Sequence, residues 1–444
     1  MKRIALTICL LLAAAGCMAQ DTNYARRLIR ELSSERMWGR GPSHKGDSIA
    51  ASYLRSEMQR LHLKPLGKNF YQEYSYATFS MEGQCWMAVN GKRLRNYDDF
   101  RVMPWSAKVD SRNMKVIVLP VEAFLDAERL HRFVARHEGT IADAFVYIDA
   151  TQLADTARRG ELQRALGRLK KRNPFGSKGI MVGVEQLSTP SFSHCDQQHG
   201  YAYLEVQAKA MPAKIKSLDV CVNTQYHPLY RTQNVCGMIE GETDTLIIVG
   251  AHYDHLGTMG DGYKYQQGNE LHHEGQVHFP GAHDNASGVA AVMDIARICT
   301  YEKPHYTMVF LLFSGEEAGL KGSTYAAEHP LVDFSKVKLM LNLDLFCGGD
   351  EGLMVFNAES SATKPFFDRL LTLNNAIQVA PEVRPRKNSP NSDHYPFSLH
   401  CPSLYILSMG MPYGGYHSPE DVCAACGLNN YYNYLLLVTS LLME

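Results

Sequence analysis

The second half of the chain alternates short, almost wholly apolar runs with stretches of helical spacing. Residues 246–251, 307–313, 337–343 and 404–407 are the apolar runs. Their length and texture predict strands buried on both faces of a mostly parallel sheet. Between the first two, Val289, Val292, Met293 and Ala296 form one stripe and predict a helix over 285–298. Residues 24–61 carry two amphipathic helical patterns around a break at Gly39–Pro42, with Ala50, Tyr53, Leu54 and Met58 on the inner face of the second. From about residue 106 to residue 228 the texture changes to short β-rich runs at 116–119, 144–148, 180–184 and 201–206. One basic helix lies among them, with Leu162, Leu166 and Leu169 on one face and its arginines and lysines on a solvated one. The pattern gives an α/β fold: a mixed, mostly parallel twisted sheet with helices on both faces, plus an inserted β-rich subdomain. No fixed-period repeat suggests a solenoid or propeller.

The amino end changes this picture at one point. Lys2 and Arg3, the apolar stretch from Ile4 to Ala15 and the small residues after it follow the order of a secretory signal. The expected division is therefore a signal at 1–19, an amino-terminal part of the main domain at 20–105, the insertion at 106–228 and the rest of the main domain at 229–444. Ala14-Ala15-Gly16-Cys17 resembles a lipobox, so Cys17 is a candidate lipid anchor beside cleavage after Ala19. Export is expected, to a periplasmic, outer-membrane lipoprotein or secreted destination. Such compartments permit disulfides among the remaining cysteines, though spacing does not give their pairing. Cys423 and Cys426 lack the setting of a redox motif and read as structural or free. Lys plus Arg is 45 against Asp plus Glu 46, a balance with no footprint for nucleic acid. No later stretch reaches the length of a transmembrane helix.

Three of the apolar runs end on metal-ligand or acid–base side chains: His252 after the first, Glu316 and Glu317 after the second, Asp344 after the third. Ligands collect at the carboxyl ends of strands in open α/β sheets. His252 and Asp254, two apart, share a side if the strand continues, which makes Asp254 a support for the imidazole. Asp284 precedes the 285–298 helix and has the position of an N-cap. The small residues around it and the other ligand types at strand ends favour a metal-bridging carboxylate instead. Of the adjacent Glu316 and Glu317, pointing in different directions, one can bind metal while the other faces substrate. His417, in Tyr416-His417-Ser418-Pro419, is a further candidate.

The stretches Gly250-Ala251-His252-Tyr253-Asp254, Asp284-Asn285-Ala286-Ser287-Gly288, Ser314-Gly315-Glu316-Glu317-Ala318-Gly319, Asn342-Leu343-Asp344, Ser392-Asp393-His394 and Tyr416-His417-Ser418-Pro419 together resemble the co-catalytic di-zinc aminopeptidases of clan MH, of the bacterial leucyl aminopeptidase and aminopeptidase Y type. The likeness runs from Asn234 to the carboxyl end and weakly through 24–66. It implies the zinc-exopeptidase fold and two Zn²⁺ ions bridged by Asp284. His252 and Asp344 would complete one site, Glu317 and His417 the other, with Glu316 as general base. The substrates it implies are peptides with a free amino terminus. Two features depart from the family: His283 stands where relatives carry an acid, and Leu345-Phe346-Cys347 follows Asp344. The insertion weakly resembles a protease-associated domain. The alternatives on the same scaffold are a glutaminyl-cyclase-like acyltransferase, a carboxypeptidase or a receptor-like binding protein.

Other signals carry less. His273-Glu274 with His278 imitates a zinc-protease helix, but the histidines are five apart, and Gly268, Gly275 and Pro280 predict a loop. His255 would point away from His252 along an extended strand. No G-x-S-x-G elbow is present.

Overall fold

The computed structural model describes residues 22–193, 195–260, 263–267, 270–274, 277–410 and 415–443. The signal at 1–19 and the candidate anchor Cys17 lie outside them. The chain divides into two units, one formed by residues up to Tyr76 with Tyr230–Gly257 and Phe279–Glu444, the other by Ala77–Leu229 with Thr258–His278.

The first unit is built on a mixed sheet. At its centre Leu246–His252 runs parallel to Thr307–Phe313 on one side and to Val337–Leu343 on the other, and Val337–Leu343 is parallel in turn to Ser403–Met409. Antiparallel partners flank this core: Gln225–Ile239 beside Thr307–Phe313, and Gly352–Phe356 beside Ser403–Met409. Every residue of Leu246–His252 and of Thr307–Phe313 is buried, because each face of the sheet meets its own apolar cluster. Ile247, Val249, Ala251, Met308, Phe310 and Leu312 pack with Val289, Val292 and Met293 of the helix Gly288–Tyr301. Ile248, Val309, Leu311 and Phe313 pack with Ala326, Ala327 and Phe397 on the opposite face. Side chains alternate across a strand, so covering both faces with helices yields the near-continuous apolar runs seen in the sequence. The amino-terminal helices are Thr22–Leu32 and Gly46–Arg60, and Leu28, Ile29, Ala50 and Leu54 join the first cluster.

The second unit starts earlier than the expected residue 106. Cys85–Val89, Lys92–Leu94 and Phe100–Val102 hydrogen-bond into an eight-stranded sheet with Leu218–Val222 and Ala202–Gln207, which takes 77–105 out of the main domain. Four strands of that sheet, Val109–Val118, Ala144–Asp149, Gly179–Val184 and Ala202–Gln207, are parallel neighbours. Parallel pairs need crossovers, and the helices Ala127–Arg136 and Arg159–Leu169 lie in the first two connections. Arg159–Leu169 is the expected basic helix, whereas Ala127–Arg136 is an additional one, whose Leu130, Phe133 and Val134 carry the helical spacing but are not fully buried. The segment around His273 and Glu274, where a loop is expected, is instead a strand, Glu270–Glu274, paired with Tyr263–Gln267. No described helix is long and apolar enough to cross a membrane.

Cys426 forms a disulfide with Cys347, 79 residues away, while Cys423 remains a half-buried thiol. The bridge ties the segment after Val337–Leu343 to the segment leading into the helix Tyr431–Leu442. Closing a loop of this length restricts the unfolded chain substantially. Cys426→Ser should therefore lower unfolding free energy by roughly 2–5 kcal/mol, whereas Cys423→Ser should stay within about 0.5 kcal/mol of the parent, both read from denaturant melts.

Candidate metal centre

Because the three central strands are parallel and in register, their carboxyl ends reach one edge together. His252 is the last residue of its strand and pairs with Phe313. Glu316 and Glu317 follow Phe313 across a turn at Gly315, whose φ of 70° suits glycine. Asp344 follows Leu343 directly. Asp284 comes from the opposite direction, in the irregular turn 282–287 before the helix. Its φ of −106° and ψ of 100° are not helical, and the side chain that caps the helix is that of Asn285, whose Oδ1 accepts the Gly288 N–H at 2.9 Å. The N-cap role that its sequence position allows is thus absent, and the carboxylate is free for the site.

Asp284 faces two imidazoles with different oxygens. Its Oδ1 lies 3.4 Å from His252 Nε2, and its Oδ2 lies 3.2 Å from His417 Nε2. His252 Nε2 is also 3.4 Å from Asp344 Oδ1, and His417 Nε2 is 3.1 Å from Glu317 Oε2. Among the described residues two groups of donor atoms result, His252–Asp284–Asp344 and His255–Asp284–Glu317–His417, and within each the donors lie within 4.8 Å of one another. Asp284 belongs to both. All of these residues are buried, and Asp344 Oδ1 has no hydrogen-bond partner. Imidazole and carboxylate donors converging on a shared carboxylate, with a sealed oxygen left over, fit a pair of divalent cations such as zinc. A third grouping, His283 with Cys347 and Cys426, has both sulfurs committed to the disulfide.

Two expectations change here. His255 points into the centre: its Nδ1 is 2.7 Å from Glu317 Oε1 and its Nε2 is buried without a hydrogen-bond partner. Asp254 does not hold the His252 ring with its carboxylate, whose nearer oxygen is 3.8 Å from Nδ1; the ring bonds the main-chain oxygen of Asp254 at 3.2 Å. Both changes have one cause. The strand ends at His252, so its alternation does not extend to residues 254 and 255. The Asp254 carboxylate instead accepts the N–H groups of Glu316 and Glu317, at 3.1 and 3.3 Å, fixing the turn that carries both glutamates. Ser314 at its start is held by the Tyr74 hydroxyl on its oxygen and by Asn234 Oδ1 on its N–H.

Three supports have no role assigned from the sequence, although Ser392 lies in the Ser392-Asp393-His394 stretch. Arg40 is wholly buried and donates to the main-chain oxygens of Leu32, Tyr253, Pro280, Gly281 and Asp284 at 2.6–3.1 Å. Asp421 accepts the N–H groups of His283 and Asp284. Ser392 donates to Asp344 Oδ2 at 2.7 Å.

The charges of the centre respond to one another. Burial alone would raise Asp284, but hydrogen bonds from His252 and His417 hold it well below the usual carboxylate range. Burial works upward on Glu317 too, yet the His417 charge and the bonds from His255 and His417 bring it down to about 2. His417 moves the other way: burial disfavours its charge, but Glu317 and Asp284 carry it up to about 11. Burial pushes Asp254 up to about 8, with the Glu317 charge adding to it. Glu316 also lies well above the ordinary range through burial and the neighbouring carboxylates, yet unlike Glu317 it keeps a partly exposed face. It belongs to neither donor group.

Residues 234–439 match peptidase family M28. A probable zinc metalloprotease of Pyrenophora tritici-repentis is 35% identical over 104 residues, 23% of this chain and 21% of that protein. A probable leucine aminopeptidase 2 of Aspergillus oryzae is 32% identical over 84 residues, 19% of this chain and 17% of that protein. The aligned part of the chain thus spans about a fifth of the length of these relatives. A solved zinc aminopeptidase from Bacillus subtilis shares the fold across 94% of both chains, with a TM-score of 0.64 at 17% identity.

The contact between His255 and Glu317 generates a test that needs no substrate. Replacing His255 by Phe should weaken divalent-metal binding by roughly 10–100-fold, the usual effect of losing a residue that orients a ligand, as read by metal titration of chelated protein.

Proposed function

We propose, from the match of residues 234–439 to peptidase family M28, that this protein is a zinc-dependent exopeptidase, specifically an aminopeptidase that hydrolyses amino-terminal residues from peptides. The observation that carries the reading is Asp284, with one oxygen toward His252 and the other toward His417, beside a glutamate outside both donor groups. In this reading two zinc ions are held, one by His252, Asp284 and Asp344, the other by Asp284, Glu317 and His417, with His255 orienting Glu317. Bound zinc supplies a Lewis acid that polarises a carbonyl and makes water a stronger acid.

The chain's own groups do the rest. Glu316, unligated and partly exposed, takes a proton from the attacking water and delivers it to the leaving amine. Asp254 holds the Glu316 N–H and so fixes where that carboxylate sits. The carboxylates of the centre also suit the positive charge of a substrate's free α-amine. The names of the relatives support the same reaction class, and retention of a full ligand set speaks against a receptor-like protein. The Cys347–Cys426 bridge supports export to an oxidising compartment.

Two measurements test the reading. Glu316→Gln keeps size and removes the base, so kcat should fall by roughly 10²–10⁴-fold with zinc content intact. Glu317→Gln should lower zinc occupancy, and Asp284→Ala should deplete both ions because it alone belongs to both groups. If Glu316→Gln lost zinc and Glu317→Gln kept it, the two roles would be reversed.

The second measurement concerns the amino terminus. Of two peptides identical except for N-acetylation, only the free one should be trimmed, since the acetyl group removes the charge and donors that the carboxylates would bind. Release of residues from both at similar rates, read by mass spectrometry, would move the carboxypeptidase reading forward.

A further inference from the structure

The second unit encloses a cavity of about 200 Å³, lined among others by Tyr97, Arg101, Met103, Trp105, Lys170 and Met259. This is far more room than a single water needs and enough for a small organic molecule. Arg101 lies on the strand Phe100–Val102, directly opposite Glu205 on Ala202–Gln207. Its Nε and Nη1 are closed off from solvent and have no hydrogen-bond partner, while its guanidinium carbon sits 4.4 Å from the centre of the Tyr97 ring. The ring fixes the plane of the guanidinium but accepts none of its in-plane hydrogen bonds.

The neighbouring carboxylates are committed elsewhere. Glu205 is bonded to Lys170 Nζ at 2.9 Å and to the N–H of Ser188 at 2.8 Å, and Asp98 is exposed and paired with Arg95. Two cations, Arg101 and Lys170, therefore meet one buried carboxylate, Glu205, and the surplus is a single positive charge. Burial lowers the Arg101 pKa, and Tyr97, Glu205 and Asp98 offset this only in part. Arg101 is half-buried, and its closed-off Nε and Nη1 carry the desolvation cost of charged donors without acceptors, so the position is poised for an anion from outside.

We propose that this cavity binds a small monocarboxylate with an apolar tail, its carboxylate against Arg101 and its tail against Met103, Trp105 and Met259. A planar carboxylate matches the guanidinium fork. One negative charge balances the local surplus, and the apolar and aromatic walls exclude a fully hydrated dianion. The site is independent of the metal centre and of the reaction proposed for it.

The test is calorimetric titration of the zinc-loaded, full-length protein with 3-phenylpropionate, 3-phenylpropanol and inorganic phosphate, in the parent and in Arg101→Met and Arg101→Lys. The expected result is one binding event for 3-phenylpropionate that weakens by roughly tenfold or more in Arg101→Met, survives in part in Arg101→Lys, and is absent for the neutral alcohol. Zinc content and peptide hydrolysis should be unchanged in both variants. A 3-phenylpropionate isotherm that is the same in Arg101→Met and the parent would assign the binding to the metal centre and overturn the proposal. So would equal affinity for the alcohol, no binding of 3-phenylpropionate, or tighter binding of phosphate. Thermal melting gives an independent reading: without ligand, Arg101→Met should melt no lower than the parent. A clearly lower midpoint would show that the fold already supplies a partner for the guanidinium, and would also reject the proposal.

Discussion

Gathering buried carboxylates at one sheet edge is the constraint on which the rest of the centre depends. Asp284, Glu317 and Asp344 are buried among donors that crowd within a few ångströms. Two like charges about 4 Å apart repel by roughly 4 kcal/mol at an effective dielectric near 20, so the arrangement needs positive partners and a stiff frame. The imidazoles of His252, His255 and His417 lie between the acids and supply part of the compensation. Backbone N–H groups supply more, notably the two that Asp254 receives from the glutamate turn. Cations held between the same oxygens would relieve the remaining repulsion, which is why the geometry suits metal more than an empty acidic pocket.

The stiff frame centres on Arg40. Its guanidinium bonds carbonyls from the first helix, from the segment after His252 and from the turn that carries Asp284. Three pieces of chain distant in sequence are thereby set at fixed distances from one another. Burial lowers the Arg40 pKa to about 10 while Asp421, Asp284, Asp254 and Glu317 work to raise it, so at neutral pH the group remains a cation among anions. The flanking glycines explain how the chain gets so close: a Cβ on Gly39 would lie 2.3 Å from the oxygen of Gly257, and one on Gly41 would lie 2.6 Å from its Cα. Replacing either would push apart the two segments that Arg40 joins.

Much of this was legible in the sequence because it is written in local patterns. Strands buried on both faces leave continuous apolar runs, and the side chains just beyond such runs are placed at the sheet edge by the fold itself. His252, Glu316, Glu317 and Asp344 could be picked out in that way, and Asp284 from the small residues around it. The resemblance, and not any local pattern, drew His417 into the set. What escaped depends on where a strand stops and on contacts between distant segments. His255 was misplaced because alternation was carried past the end of a strand. Arg40 was passed over because five carbonyl contacts leave no periodic trace. The boundary at 77 in place of 106 has the same origin, since the pairing of Phe100–Val102 with Ala202–Gln207 joins residues about a hundred positions apart.

The adjacent glutamates show how one turn gives identical side chains different tasks. Glu316 and Glu317 have the same chemistry and both give their N–H groups to Asp254. They differ in what their carboxylates meet. Glu317 is buried and saturated, with His255 on one oxygen and His417 on the other, which keeps it ionised and immobile. Glu316 is partly exposed and lies next to acids, so its proton affinity is high. A carboxylate whose oxygens are committed cannot shuttle a proton, and one that holds its proton tightly is a poor ligand. The division follows from what each carboxylate meets: both Glu317 oxygens face imidazoles, while Glu316 belongs to neither donor group. Exchanging their roles would require moving the turn by one residue, and Asp254, Asn234 and Tyr74 together oppose that shift by holding the backbone of Ser314, Glu316 and Glu317.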